Sequence, residues 1–161
     1  MIEIRPIRTD EIPAAKRIVY SVAYRILGWD GTLEDSIEQF EAKGQLTDMD
    51  NVQQHYFSNR GLFLAALDAG TLVGTGAVRK IDDATAELKR MWLLEEYQGK
   101  GIGYRLITRL FDFARGQGYE RIILETSIQQ ERAIAFYRQI GFIDMQIPDS
   151  DEDDLHMEIK L

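Results

Sequence analysis

The spacing of apolar and polar positions changes several times along the chain. Ile2, Ile4 and Ile7 predict a short strand, with Pro6 marking an edge or an irregular end. Thr9 or Asp10 can cap a helix whose apolar stripe runs Ile12, Ala15, Ile18, Val19, Val22 and Ile26. GWDGT reads as a turn. A second helix is expected from about Leu33 to Ala42, with Gly44 at its end. Residues 45–59 show no clean period and read as loop plus a short helix. LFLAAL (62–67) predicts a buried strand, and TLVGTGAVRKI (71–81) its antiparallel partner across DAGT. AELKRMWLL (86–94) and RIILET (121–126) predict a fourth and a fifth strand. Between them a helix runs to about Arg115, and Gly116 and Gly118 break it. Glu131 to Ile140 form a further helix with Ala133, Phe136, Tyr137 and Ile140 on one face, ended by Gly141. FIDMQI and LHMEIKL close the chain as strands around the acidic run PDSDEDD.

About six or seven strands in mixed order with about four helices predict an α/β (α+β) fold with a mixed central sheet. The chain has 161 residues, no internal repeat and no linker, so a single domain over 1–161 is expected. Composition narrows the function. A formal net charge of −8 argues against a general nucleic-acid binder, which needs cations to replace phosphate counterions. No apolar run has the length of a membrane span, and the N-terminus lacks the basic-then-apolar order of a secretory signal. The expectation is therefore a cytoplasmic protein with no membrane partner. There is no cysteine, which excludes disulfides, thiolate metal sites and cysteine catalysis. His55 and His156 have no metal-ligand neighbour at helical spacing, so no metal is expected.

The stretch EEYQGKGIGYRLI (95–107) is the one that carries chemistry. It places Gly99, Gly101 and Gly103 at alternate positions ahead of a helix, with Lys100 between the first two. The first amides of a helix lack internal partners and carry partial positive charge, and glycine lets an anion approach them closely. The G-x-G-x-x-G spacing of dinucleotide folds fails, since Tyr104 or Leu106 falls at its last position. A Walker loop fails because Gly101 follows Gly99-Lys100. Phosphate binding and a tight helix–strand contact both remain open by spacing alone.

The run Gln98-x-x-Gly101-x-Gly103 resembles the Q/R-x-x-G-x-G/A motif of the GNAT superfamily of acyl-CoA-dependent N-acyltransferases. ERAIAFYRQIGF (131–142) is similar to that family's later helix, A-x-x-F-Y-x-x-x-G-F from Ala133. The likeness covers most of residues 62–161. Many members carry Asn where Gln130 stands, so no role is carried onto it. The resemblance implies acetyl-CoA as co-substrate, with Gln98, Gly99, Lys100, Gly101, Ile102 and Gly103 at its pyrophosphate. It also implies that Met91, Trp92 and Leu93 lie along the pantetheine arm.

Acyl transfer to an amine faces one main obstacle. An alkylammonium with pKa ~10.4 is about 1 part in 2500 neutral at pH 7, roughly 4.6 kcal/mol. A base is therefore useful. Glu125 at the end of the fifth strand is the first candidate and Glu87 the second. Tyr137 is the candidate partner of the leaving sulfur. Proton transfer from a phenol of pKa ~10 to a thiolate of pKa ~8.5 is uphill by about 2 kcal/mol, so a hydrogen bond is the easier role. The thioester oxygen would meet a backbone N–H, that of Leu93. A small-molecule amine is the expected acceptor. The acid run 149–154 suggests a cation such as a polyamine or an amino sugar. A homodimer is left open. The rival reading is a non-catalytic acyl-CoA-binding module of the same fold.

Overall fold

The computed structural model describes residues 1–161. Its elements follow the order β1 (Ile2–Pro6), α1 (Ile12–Leu27), α2 (Leu33–Ala42), β2 (Leu62–Asp68), β3 (Thr71–Lys80), β4 (Thr85–Leu93), α3 (Ile102–Gly116), β5 (Arg121–Ser127), α4 (Glu131–Ile140), β6 (Ile143–Met145) and β7 (Asp154–Lys160). The seven strands form one mixed sheet in the order β1-β2-β3-β4-β5-β7-β6. The aperiodic stretch 45–59 contains a 3-10 turn (Thr47–Asn51) and a π turn (Gln53–Phe57). Neither has the 3.6-residue period that a sequence pattern reveals.

Both faces of the central strands are covered. On β2, Leu64 and Ala66 join α3 in one core cluster, while Phe63, Ala65 and Leu67 join α1 in the other. That double burial is why LFLAAL reads as an unbroken apolar run. In α3, Leu106, Ile107, Leu110 and Ala114 are buried. In α4, Ile134 and Tyr137 are buried.

Two irregularities of β4 shape the site. The first is a bulge. Ala77 lies opposite Lys89 and Thr75 opposite Trp92, so β4 carries one more residue than β3 across this interval. Arg90 takes the extra place at φ +56°, and the Thr75 hydroxyl donates to its carbonyl at 2.6 Å. The bulge reverses the alternation of the strand. Ala86 and Leu88 face the α3 cluster ahead of it, whereas Met91 and Leu93 do so behind it and Trp92 turns to the α1 cluster. Gly76 accommodates the shift, since a Cβ there would lie 2.5 Å from the Met91 sulfur.

The second irregularity is a gap. β4 and β5 are the sheet's only parallel neighbours, and they pair at Thr85–Arg121, Ala86–Ile122 and Glu87–Ile123 alone. Beyond Glu87, β4 follows β3 to Leu93, while β5 follows β7 to Ser127. The two strands part, and the sheet opens between them.

Candidate functional site

Two cavities occupy the opening. The larger holds about 480 Å³ and is lined by Met91, Trp92, Leu93, Gln98, Gly99, Gly101 and Gly103, by the first turns of α4 with Phe136 and Tyr137, and by Val22 and Ile26 of α1. The smaller holds about 300 Å³ and is lined mostly by charged and polar side chains, among them Glu87, Lys89, Arg90, Glu125, Ser127 and Asp154. Met91, Trp92, Gln130 and Tyr137 line both.

One end of the larger cavity has the features that can hold an anion. Gly99 and Gly101 sit at φ +77° and +82°, a backbone region that residues with a Cβ rarely adopt. At Gly101 an added Cβ would meet nothing within 4 Å. The glycine therefore serves the backbone conformation and keeps the surface open. The amides of Gly101, Ile102, Gly103 and Tyr104 donate to no group of the protein, and no side chain caps α3. Four free amides at a helix start, at the end where the dipole is positive, form a seat for phosphate. Arg132 adds a cation. Its guanidinium would lie 3.2 Å from a Cβ on Gly99, and it lines the cavity with no carboxylate partner. Gly103 is different: its φ is ordinary, and its missing Cβ would touch the Phe136 ring at 3.5 Å.

The side chains of two of the expected loop residues point elsewhere. Lys100 is exposed and lies over the Tyr97 ring, 5.4 Å from its centroid. Ile102 turns its side chain into the core, so what it offers an anion is its free backbone amide. Gln98 lines the cavity and donates from Nε2 to the Leu93 carbonyl at 2.9 Å.

Next along the strand, Leu94 N–H donates to the Val73 carbonyl at 3.0 Å. By antiparallel alternation, the Leu93 N–H and carbonyl then point away from β3 and into the opening. Gln98 takes that carbonyl, and the Leu93 N–H remains free. Tyr137 is only 7% exposed, yet its hydroxyl has no protein partner and is not sealed off from the cleft. Burial pushes its phenol above the ordinary value, so it stays protonated at neutral pH.

The smaller cavity is a place of paired and unpaired charges. Arg79 Nε holds Glu87 at 2.8 Å. Arg90 grips Asp48 through Nη2 at 2.5 Å and Nε at 3.1 Å, and the Tyr56 hydroxyl donates to the same carboxylate at 2.5 Å. Burial alone would raise the Asp48 pKa, but the Arg90 hydrogen bonds and charge outweigh it, and Tyr56 helps to hold the carboxyl below its usual range. This network ties the turns of residues 47–57 to the β4 bulge. Glu125 is exposed, with no ion pair or side-chain hydrogen bond. The sequence reading missed Arg132, Lys89 and the Asp48–Tyr56–Arg90 group. The apolar phase slip in AELKRMWLL, from even to odd positions, is the signal that marks the bulge.

Residues 29–142 match the model of the Acetyltransferase (GNAT) family, and the chain belongs to that family. It is 35% identical over 102 residues to the human N-acetyltransferase 8B, a match covering 60% of this chain and 45% of that protein. It is 41% identical over 83 residues to the IAA acetyltransferase of Azospirillum brasilense, covering 51% and 54% respectively. The chain thus spans about half the length of the curated relatives it matches. Among solved structures, the PaiA N-acetyltransferase of Thermoplasma acidophilum in complex with coenzyme A superposes with a TM-score of 0.78 at 26% identity, over 100% of this chain and 99% of that one. An acetyltransferase from Streptococcus agalactiae superposes with a TM-score of 0.82 at 23% identity, over 99% and 98%, and shares the fold. No helix is long and apolar enough to cross a membrane.

Proposed function

We propose that the chain, acting as one GNAT unit over residues 1–161 in the cytoplasm, transfers an acetyl group from acetyl-CoA to a primary amine by direct attack. The observation that carries this reading is the pair of cavities meeting at Met91, Trp92, Gln130 and Tyr137, one offering free amides and the other free charge. A module that only held acyl-CoA would have no use for the second. Acetyl-CoA supplies an activated acetyl group: the amine nitrogen bonds to its carbonyl carbon, the C–S bond breaks, and coenzyme A leaves as the thiol with the amine's proton.

The protein's part is positioning and charge. Amides of Gly101 to Tyr104 with Arg132 hold the pyrophosphate. Met91, Trp92 and Leu93 flank the pantetheine arm, and the free Leu93 N–H faces the thioester oxygen as charge grows there. The Tyr137 hydroxyl donates a hydrogen bond to the departing sulfur. Its raised pKa makes full proton transfer costlier than for an ordinary phenol, so it serves as a donor that keeps its proton. Glu125, unpaired in the smaller cavity, accepts the proton of the incoming ammonium directly or through water. Glu87, already held by Arg79, is the second candidate. Glu125 and Asp154 attract the acceptor's ammonium group.

The test is mass spectrometry of a mixed amine panel incubated with acetyl-CoA, run beside Tyr137→Phe. Acetylated amines that form with the wild-type protein and drop sharply in the variant support the reading. Acetyl-CoA binding with no acetylated product from any amine would favour the binding-module alternative.

A further inference from the structure

The smaller cavity contains a cation with no ion-pair partner, Lys89. Lys89 lies on β4 between Glu87, where the pairing with β5 ends, and Met91 and Trp92, which line both cavities. Its neighbours are cancelled: Glu87 is held by Arg79 and Arg90 by Asp48. No carboxylate lies within ion-pair distance of Lys89 itself; its amino group has no hydrogen-bond partner in the protein yet is not sealed off from solvent, and the residue lines the cavity. Burial and the nearby Arg90 and Arg79 charges, partly offset by Glu87 and Asp48, lower its pKa. An anion placed there would offset these disfavouring effects by direct attraction. Extending the β4–β5 register by two residues puts Lys89 level with Glu125, across the gap where the strands have parted. Glu125 and Asp154 are anions with no partner, so once the internal pairs are set aside the cavity has a positive wall on β4 and a negative wall on β5 and β7.

We propose that Lys89 binds a carboxylate of the acceptor, and that the acceptor is therefore an amino acid, its ammonium towards Glu125 and Asp154 and its carboxylate on the lysine. This rests on the transferase reading above and narrows it. A polyamine would set a second cation against Lys89, whereas an amine with no anionic group would leave the lysine uncompensated. The carboxylate takes no part in the bond changes; it fixes which end of the molecule enters.

The experiment compares matched pairs. Six α-amino acids, β-alanine and 4-aminobutyrate are each offered beside the corresponding amide, with acetyl-CoA, and kcat/KM is measured. The amine of an α-amino amide is less basic, so more of it is neutral at pH 7, and a preference for the acid runs against intrinsic reactivity. The expected result is a preference of roughly 10- to 100-fold for the acid of at least one pair, the size of a charge-assisted hydrogen bond. Lys89→Met should collapse that ratio towards one, and Lys89→Arg should keep part of it. Equal or better turnover of the amides by the wild-type protein overturns the proposal without needing any variant. Calorimetric titration of the same amino acids and amides into the protein separates the two readings. Acid-selective binding that Lys89→Met abolishes, with nothing acetylated, keeps the subsite and sinks the transferase reading. Turnover of amines with no acid preference, or absence of acid-selective binding, sinks the subsite alone.

Discussion

The two cavities solve recognition by different means. The larger is made from backbone: free amides at the start of α3, the exposed N–H of Leu93, and two glycines at positive φ. The smaller is made from side chains brought together from β4, β5 and β7, and braced from residues 47–57 by the Asp48–Arg90 pair. A backbone site is set by local conformation and tolerates change in most side chains around it. A side-chain site has no such protection, because every member depends on the packing of a distant segment. The cavity proposed for the co-substrate is thus fixed by a short run of sequence, and the one proposed for the acceptor by tertiary structure.

The largest expected effect lies where the two cavities meet. Tyr137→Phe keeps the ring against Phe136 and Phe142 and removes only the hydroxyl. If that hydroxyl bonds the leaving sulfur, kcat should fall by roughly 10²- to 10³-fold with little change in acetyl-CoA affinity. Rapid-quench kinetics beside a calorimetric titration decide it. A kcat within a few-fold of wild type would make Tyr137 a packing residue.

The bracing pair is the next test. Asp48→Ala leaves Arg90 buried without its partner, which costs about 3–5 kcal/mol in comparable buried pairs. At this chain length that corresponds to a fall in Tm of roughly 6–20 °C. The pH dependence follows from the lowered Asp48 pKa in the folded state. The carboxylate's contribution is complete above its unfolded value of about 3.9 and fades as pH falls through the folded value. The gap in Tm between wild type and Asp48→Ala should therefore be constant near neutrality and narrow on acidification below about pH 4. A gap that persists unchanged into acid would mean that Asp48 acts through packing and not through its charge.

The glycines give a smaller and more local contrast. Gly101→Val places a side chain in the open seat and forces valine to φ +82°, so acetyl-CoA affinity should fall by about 10²-fold or more. Gly103→Ala adds a Cβ at ordinary contact distance from Phe136 in a helix that favours alanine over glycine by up to about 1 kcal/mol. It should raise Tm slightly and change affinity by a few-fold at most. Titrations of the two variants that gave equal losses would show that the loop is read through its surface and not through its backbone conformation.

The same contrast explains what the sequence made legible. The glycine run and the ERAIAFYRQIGF helix are local patterns, with their residues adjacent or on one helical face, and they place Gly99, Gly101, Gly103 and Tyr137 on the larger cavity. The strands could be read from alternation, since burial on one or both faces imposes it. Residues 45–59 resisted because 3-10 and π turns leave no repeating face. Arg90 and Asp48 are 42 residues apart, and nothing local distinguishes them from other charged residues. Lys89 is harder still: its significance lies in having no partner, which depends on where Arg79 and Asp48 go. Only the phase slip across Lys89 to Met91 was visible, and it signals a bulge without saying what the bulge is for.

The smallest effect concerns the acidic run before β7, which suggested a strongly cationic acceptor. Only Asp154 of that run lines the smaller cavity; Asp149, Asp151, Glu152 and Asp153 are exposed. Charges in open solvent lose most of their influence beyond about 8 Å at physiological salt. An amino acid also has no net charge to steer. Changing those four residues to Asn or Gln should then alter acceptor kcat/KM by less than about two-fold at 0.15 M salt, and should leave its salt dependence shallow. Asp154→Asn, acting within the cavity, should lower kcat/KM more than the four exterior changes combined. The measurement is a salt series from about 0.01 to 0.5 M for both variants. A polyamine or another multiply charged cation would give the opposite pattern: a steep fall in kcat/KM with salt that the exterior changes flatten. That outcome would return the acidic loop to the recognition of substrate and remove the amino-acid reading of Lys89 with it.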